Sequence, residues 1–410
     1  MKSRNLVVLD IGSSKIAQVM FNCAPQESIL FYRMTYSEGF KAGRVINYFM
    51  AERAVMNAIQ NLEKTSYINI NQVSIILPSI GTESIYASGK IKIANHAQIT
   101  RLDIEKLMHK TLAESGLQNK EVIHCFPIQF TLDNAKHAVD NPIGLHAKTL
   151  ECQMHFIVAD RNQMINLTDF FVKCQINIAK FTLGIYAAGL ACLSEDEMQL
   201  GVAIIEMGAH ATSIGIFASN KFIYSNYINT GSHAITSDIA KVFGITIEAA
   251  EKLKVLYGSA VVNNTKDIPI NLEALNIECY RDTRVITTSE LIAVINARVE
   301  EMIFALHTKC LNTGFLESLS INKIAITGGG ANLKDIKEIV ANTFQLSVRV
   351  ASPYRFKGIE LDEMNLHRYS CALGGARHFC ANFKNKGADF HLQTTQKELS
   401  WYKKLYHTFF

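Results

Sequence analysis

Long apolar runs are missing from this chain. The longest candidate, Leu183 to Leu193, is 11 residues and already holds Gly184 and Gly189, against the ~18–20 needed to cross a bilayer. The start of the chain is basic, but its apolar stretch is only Leu6–Leu9 before Asp10, too short for the core of a secretory signal. Nine cysteines, at 23, 125, 152, 174, 192, 279, 310, 371 and 380, never form C-x-x-C. An odd, scattered set excludes a disulfide frame and a zinc site, and predicts buried thiols in a reducing cytoplasm. Excess charge is lacking too: 41 Lys+Arg face 37 Asp+Glu, a net of +4 over 410 residues. That balance makes no case for nucleic acid as a partner. The residues are 48% hydrophobic and 19% charged, a globular composition on a chain long enough for two or three cores.

Three segments share one pattern, an apolar strand, a Gly-containing turn, then a second strand or a helix. They are 6–21 (LVVLDIGSSKIAQVMF), 201–217 (GVAIIEMGAHATSIGIF) and 323–336 (KIAITGGGANLKDI). The first two match each other. Each has a buried-type strand, an acid (Asp10, Glu206), one residue, a glycine (Gly12, Gly208), small or polar residues, then alternating apolar positions. That spacing predicts two β-hairpins. Set about 200 residues apart, too far for a solenoid, they predict an internally duplicated, two-lobed α/β protein.

Residues 84–162 have a different texture. Ile85, Ala87, Ile91 and Ile93 alternate as a half-buried strand. Thr100 and Asp103 resemble a capping box, with Asp in place of Glu or Gln. They open a helix whose Leu107, Met108 and Leu112 share a face, stopped at Gly116. EVIHCFPIQFTLD and TLECQMHFIVAD then read as strands, giving a β-α-β-β inserted subdomain. Further on, two helices are expected within 233–257 and a long amphipathic one over 288–311.

A strand ending in Asp before a tight turn of small residues can handle phosphate. Gly12 admits close approach, the N–H groups of Ser13 and Ser14 can point at phosphate oxygens, and their hydroxyls add donors. Asp10 is placed to hold Mg2+ through water, because Mg2+ keeps most of its hydration shell. Taken alone, DIGSSK reads equally as a plain Ser/Gly hairpin turn. Gly328, Gly329 and Gly330 lie between a strand and a helix and permit close backbone approach to a nucleotide, though such loops are common.

The order of the pieces discriminates. An Asp hairpin, a small-residue helix (YAAGLACL, 186–193), a second acidic hairpin, an AEKLK helix, the glycine loop and a second small-residue helix (CALGGA) follow one another. This order resembles the actin/Hsp70/sugar-kinase ATPase superfamily. The resemblance implies an actin-like α/β fold whose two lobes clamp ATP and Mg2+, with the small-residue helices crossing at the hinge. Within it the chain resembles, over nearly its whole length, the FtsA family of actin-like bacterial division proteins that tether FtsZ to the membrane. DIGSSKIA, LSEDEMQLGVAIIEMG and residues 228–260 carry most of that likeness, and 84–162 sits where the family has its distinctive insertion. An Hsp70 reading needs a long substrate-binding domain and a sugar kinase needs a catalytic Asp; neither is recognisable in the sequence.

By this resemblance Asp10, Gly12, Ser13 and Ser14 form the first phosphate loop, with Lys15 beside them, and Glu206, Gly208 and Thr212 belong to the second. Glu251 and Lys254, three apart on one helix face, contact ribose and adenine, unless they are only a solvated pair. Gly328, Gly329 and Gly330 flank the adenosine. The second loop departs from the family's Asp-Ile-Gly-Gly-Gly-Thr-x-Asp: the chain reads Glu206, Met207, Gly208, Ala209, His210, Ala211, Thr212, Ser213. His210 brings a ring where the backbone must come close, and Ser213 replaces a carboxylate that helps order Mg2+ and water. Hydrolysis is therefore expected to be slow or absent, with no catalytic residue.

The resemblance also implies a division of the chain. A first-lobe core at 1–83 is joined by 163–193 and 356–380, with the inserted subdomain at 84–162. A second-lobe core at 194–228 is joined by 306–355, with an insertion at 229–305 that would take the FtsZ C-terminal peptide. Arg298 is the candidate contact for that acidic peptide, or else a solvated arginine. The 84–162 subdomain would make head-to-tail polymer contacts and reach later division proteins.

Residues 381–395 are polar without an apolar period and read as a linker. On a wheel at ~100° per residue, Leu399, Trp401, Tyr402, Leu405, Tyr406, Phe409 and Phe410 fall in one half-circle. Ser400, Lys403, Lys404, His407 and Thr408 fill the other, with Glu398 the outlier. From Lys384 to Lys404 five Lys stand against Asp389 and Glu398, a net of +3, and Trp401 is the single Trp. An aromatic apolar face opposite lysines reads as an in-plane anchor at 396–410 for an anionic membrane, the alternative being a helix docked on its own domain. The resulting expectation is a peripheral protein on the cytoplasmic face of the inner membrane at the division site. The rival readings are an actin-like scaffold of pilus or secretion machinery and an active ATPase or kinase of the same superfamily.

Overall fold

A computed structural model describes residues 5–23, 28–94, 97–117, 119–135, 137–262, 267–272, 275, 285–354, 358 and 363–384. Along the chain come β1 (Asn5–Ile11), β2 (Lys15–Asn22), β3 (Ser28–Tyr36), the short β4 (Phe40–Lys41) and β5 (Arg44–Val45), α1 (Tyr48–Ser66) and β6 (Gln72–Leu77). An inserted unit follows: β7 (Thr82–Lys92), α2 (Arg101–Glu114), β8 (Lys120–Leu132), β9 (Ala138–Val139) and β10 (Thr149–Asp160). The first lobe resumes with α3 (Arg161–Lys173), β11 (Asn177–Leu183) and α4 (Gly184–Cys192). The second lobe has α5 (Glu195–Leu200), β12 (Val202–Met207), β13 (Thr212–Ala218), β14 (Lys221–Ile228), α6 (Ser232–Phe243) and α7 (Ile247–Tyr257). It continues through β15 (Pro269–Ile270), β16 (Ile286–Thr287), α8 (Thr288–Leu311), α9 (Phe315–Ser318), β17 (Lys323–Thr327), α10 (Ile336–Phe344) and β18 (Ser347–Val350). Then α11 (Glu363–Leu366) and α12 (Ser370–Lys384) return to the first lobe.

The duplication is visible in the sheets. One runs β3-β2-β1-β6-β11 and the other β14-β13-β12-β17-β18. In each, the first three strands are antiparallel and the last three parallel. Both hairpins expected from the alternation are the centres of these sheets, β1–β2 and β12–β13. Strands flanked by helices must be apolar on both faces, and Val7–Leu9, Ile16–Phe21, Val202–Ile205 and Ile214–Phe217 are buried accordingly.

The inserted unit is a four-stranded sheet, β7-β10-β8-β9, with its own core of Ile104, Leu107, Met108, Leu150, Met154 and Phe156. The Thr100–Asp103 capping box is formed, and it fixes where α2 starts. This unit, although it branches from the first lobe, also grips the second. Tyr86 Oη donates to the Ile223 carbonyl (2.7 Å), and Ser84 Oγ bonds both the carbonyl (3.0 Å) and the N–H (3.1 Å) of Ser225. His155 is fully buried, with Nδ1 2.9 Å from the Phe222 carbonyl and Nε2 2.9 Å from Ser84 Oγ. A carbonyl can only accept, so Nδ1 donates, and burial holds the ring neutral with a pKa lowered to about 4. Side chains of the insertion thus satisfy the edge strand β14.

The two small-residue helices do cross. Gly374 of α12 lies against Ala187 of α4, and Arg377 donates to the Leu190 carbonyl (3.0 Å). Tyr186 of α4 packs against His124 and Phe126 of the insertion, Phe217 and Phe222 of the second lobe, and His378 of α12. All three units therefore meet at one aromatic joint beside the hinge.

Two expected boundaries move. α12 continues through Lys384, four residues into the stretch read as linker. α8 runs unbroken across 305/306, since Leu291, Ile295, Val299, Met302, Ile303 and Leu306 form one continuous buried stripe. That boundary falls inside a helix. The terminal anchor read at 396–410 lies outside the described residues. Among the described residues no helix is long and apolar enough to cross a membrane, and seven of the eight described cysteines are buried.

Candidate functional site

The two hairpin turns share a closing hydrogen bond and a strand register. Gly12 N–H donates to the Lys15 carbonyl and Gly208 N–H to the Ala211 carbonyl, both at 2.9 Å. Ser13 and Ser14 therefore correspond to Ala209 and His210. Each turn follows an acid near its strand's end, Asp10 on β1 and Glu206 on β12, and Asp10 is close enough to Glu206 to raise its pKa.

Burial raises the Asp10 pKa to about 6, and Lys15 pulls it partway back. Burial together with Asp10 pushes Glu206 up to about 8. Lys15 itself is lowered to about 8 by burial, and its ammonium donates to the Arg368 carbonyl (2.8 Å). Two desolvated carboxyl groups share one weakened ammonium, and an added cation would favour their ionised forms. The set fits a water-mediated divalent cation better than direct ligation. Among the described residues no group of three His, Cys, Asp or Glu could hold a metal.

The glycine loop closes over the second turn. Gly328 has φ +88°, and a Cβ there would lie 2.7 Å from the Met207 carbonyl oxygen and 2.9 Å from Glu206 Oε1. Only glycine allows that approach. Gly330 is equally tight against Met207, whereas Gly329 is exposed, with no atom within 4 Å of a would-be Cβ. A ligand can lie along this bare stretch of backbone.

The other predicted residues divide. Ser13 Oγ accepts from Ala42 N–H (3.1 Å), which ties the β4–β5 hairpin to the first turn; Ser14 is exposed. Thr212 is withdrawn: it is fully buried, and its hydroxyl donates to the Thr230 carbonyl (2.9 Å). Ser213 is buried as well. Glu251 and Lys254 form an i,i+3 ion pair whose Glu251 side is exposed and whose Lys254 side is largely covered. Lys254 Nζ meets Glu251 Oε2 (2.7 Å), Thr236 Oγ1 (2.8 Å) and the Ser232 carbonyl (3.4 Å), fastening α7 to α6. Burial opposes ionisation of Glu251, but Lys254 and Thr236 outweigh it and its pKa falls. Arg298 lies beside Asp238 (2.5 Å) and Glu301 (2.6 Å), joining α8 to α6.

Sequence reasoning missed Lys41 and His233. His233 N–H donates to the Ala209 carbonyl (2.8 Å) and Ser232 N–H to that of Gly208 (2.9 Å), which seats the start of α6 on the second turn. The His233 ring then stacks on His210, centroids 4.8 Å apart at 25°. Burial lowers the His210 pKa, with His233 and Lys41 adding to it. No local pattern announces these partners, because long-range docking creates them.

Two sheets of one topology with paired acidic turns at the hinge define a protein of the actin-like ATPase fold. Solved structures agree: a "PilM-PilN type IV pilus biogenesis complex" chain aligns with TM-score 0.64 and 14% identity, covering 91% of this chain and 98% of that one. MreB5 of Spiroplasma citri bound to ADP aligns at 0.52 with 14% identity, covering 93% and 99%. Residues 203–374 match the family model "Cell division protein FtsA", and 81–158 match "SHS2 domain inserted in FTSA". The chain belongs to the FtsA family of cell division proteins. It is 26% identical to cell division protein FtsA of Helicobacter pylori strain J99, covering 91% of this chain and 82% of that protein. It is also 26% identical to FtsA of Buchnera aphidicola, covering 98% and 99%.

Proposed function

We propose that this FtsA-family chain binds ATP with Mg2+ between its lobes, self-associates head to tail on the inner membrane, and anchors the FtsZ ring there. The observation that carries the reading is the juxtaposition of the two equivalent turns. They bring Asp10 and Glu206 together beneath a glycine loop whose Gly329 backbone is open. The MreB5 structure, a protein of the same fold, holds ADP. Ser13 and Ser14 would offer N–H groups to phosphates, with Gly12 and Gly208 admitting close approach, Gly328–Gly330 would flank the adenosine, and the Glu251–Lys254–Thr236 network would wall the ribose side. A divalent cation would supply the positive charge the two carboxylates lack.

Turnover is proposed to be slow or absent. The family's later acid is replaced by Ser213, which is buried in β13, so the second turn brings no second carboxylate to position water. Residues 396–410 would hold the membrane, reversibly for one chain and firmly for a polymer, since each added subunit binds at high effective concentration. The FtsZ peptide is assigned to the second lobe's α6–α8 region, and later division proteins to the insertion.

The test is liposome co-sedimentation of the full chain against a chain ending at Ala388, with and without ATP and Mg2+. Tail-dependent pelleting strengthened by ATP is expected. Pelleting indifferent to ATP would remove the nucleotide control, and no pelleting of either protein would remove the anchor.

A further inference from the structure

We propose that His210, braced by His233 and faced by Lys41 from the first lobe, binds the terminal phosphate of a nucleoside triphosphate and makes the cleft prefer it to the diphosphate. This deepens the reading of the cleft as a nucleotide site and rests on it. The family places a glycine in the position His210 occupies, and the sequence alone suggests a ring obstructing the backbone.

The geometry suggests another role. The turn is not distorted by the ring, because Gly208 N–H still reaches the Ala211 carbonyl at the 2.9 Å found in the first turn. The ring is held to one side by stacking on His233, and the start of α6 is fastened to the turn by two backbone hydrogen bonds. Its Nδ1 is buried without a hydrogen-bond partner. A buried polar atom left unmatched in a native protein points to a missing partner, and with the ring proton on Nδ1 that partner is an acceptor the cleft receives from outside.

The surroundings identify that acceptor as an anion. Lys41 acts on His210 as a positive neighbour, and the His233 ring beside it acts in the same sense. Lys41 precedes Ala42, whose N–H donates to Ser13 Oγ of the first turn, so the β4–β5 hairpin is held beside that turn. The nearby acids are engaged elsewhere: Glu251 with Lys254 and Thr236, and Asp10 and Glu206 with Lys15 near the strand ends. The cleft is therefore acidic at the base of the turns and basic at the tip of the second. The glycine loop packs on Glu206 and Met207 at the base. A nucleotide with its adenosine along Gly329 would direct the far end of its phosphate chain toward the tip. The terminal phosphate is the group that a diphosphate lacks, and a ring N–H donating to it forms a charge-assisted bond.

The experiment is calorimetric titration of the full chain with ATP and with ADP, each with Mg2+, for wild type, His210→Gly and His210→Gln. Expected is a fall of about tenfold in ATP affinity for His210→Gly, with ADP affinity held within about twofold, as loss of one charge-assisted bond predicts. His210→Gln keeps an N–H donor and should recover part of the ATP preference. An unchanged ATP-to-ADP ratio in His210→Gly, with both nucleotides still bound, would overturn the role of His210 and leave the nucleotide site standing. Tighter binding of both nucleotides by His210→Gly at a constant ratio would make the ring an obstruction and also overturn it. Failure of the wild type to bind either nucleotide would remove the site itself, and the role of His210 with it.

Discussion

Replacing Gly374 by alanine should force the two hinge helices apart. A Cβ at Gly374 would lie 1.7 Å from the Ala187 carbonyl oxygen and 2.3 Å from its carbon, whereas carbon–oxygen contacts settle near ~3.3 Å. Relief requires a shift of on the order of 1.5 Å between α4 and α12, because both clashing groups are helical backbone and no rotamer change helps. The surrounding Ala187, Ala188, Ala372, Leu373 and Ala376 are all buried at this crossing, so separation loses close packing along the contact. Overpacking usually costs about 1–3 kcal/mol. A backbone clash belongs at or above the top of that range, offset by about 1 kcal/mol of helix propensity gained over glycine. A net loss of ~2 kcal/mol or more is expected. It would be read as a lower urea midpoint at unchanged slope. Gly329→Ala is the control: nothing lies within 4 Å of its Cβ, so stability should hold within about 0.5 kcal/mol while nucleotide affinity falls. Equal stability of Gly374→Ala and wild type would refute the close crossing.

The acidic pair makes the ligand-free protein sensitive to pH. Glu206 is raised from 4.5 to about 8, so the native state holds its proton more tightly than the unfolded chain does. Its stabilising contribution is complete below pH 4.5 and drains away as the pH climbs toward 8. Glu206→Gln should therefore melt higher than wild type at pH 8, with a smaller gap near pH 5, and a constant gap would count against a buried, repelled pair. At the insertion joint, Tyr86→Phe deletes the donor to the Ile223 carbonyl. It should cost about 1–2 kcal/mol and speed hydrogen exchange in β14; unaltered exchange there would mean that the insertion does not hold this strand.

Much of the architecture was legible because it is local. Period-2 alternation marked both central hairpins, the Thr100–Asp103 pair marked where α2 begins, and the apolar stripe of α8 gave Thr288–Leu311 at its observed ends. The site's wiring was not legible, because its partners are distant in sequence. Arg298 finds Asp238 on another helix, and Lys254 finds Thr236 only after α7 packs on α6. Thr212 illustrates a different obstacle. Side chains alternate between faces along a strand, so where the turn ends decides whether a residue faces the cleft or the core. That ending is set by the Gly208–Ala211 hydrogen bond.

That same bond bears on how the departure from the family pattern should be weighed. Phosphate binding by a turn draws mainly on backbone N–H groups, and the second turn shares the closing hydrogen bond and strand register of the first. Substitutions at 209–211 leave those donors in place and alter only what the side chains add. Two hydroxyl positions of the first turn, Ser13 and Ser14, are answered by a methyl at Ala209 and a ring at His210. Loss of the family's residues in this loop therefore changes what the side chains contribute and leaves the closing hydrogen bond of the turn in place.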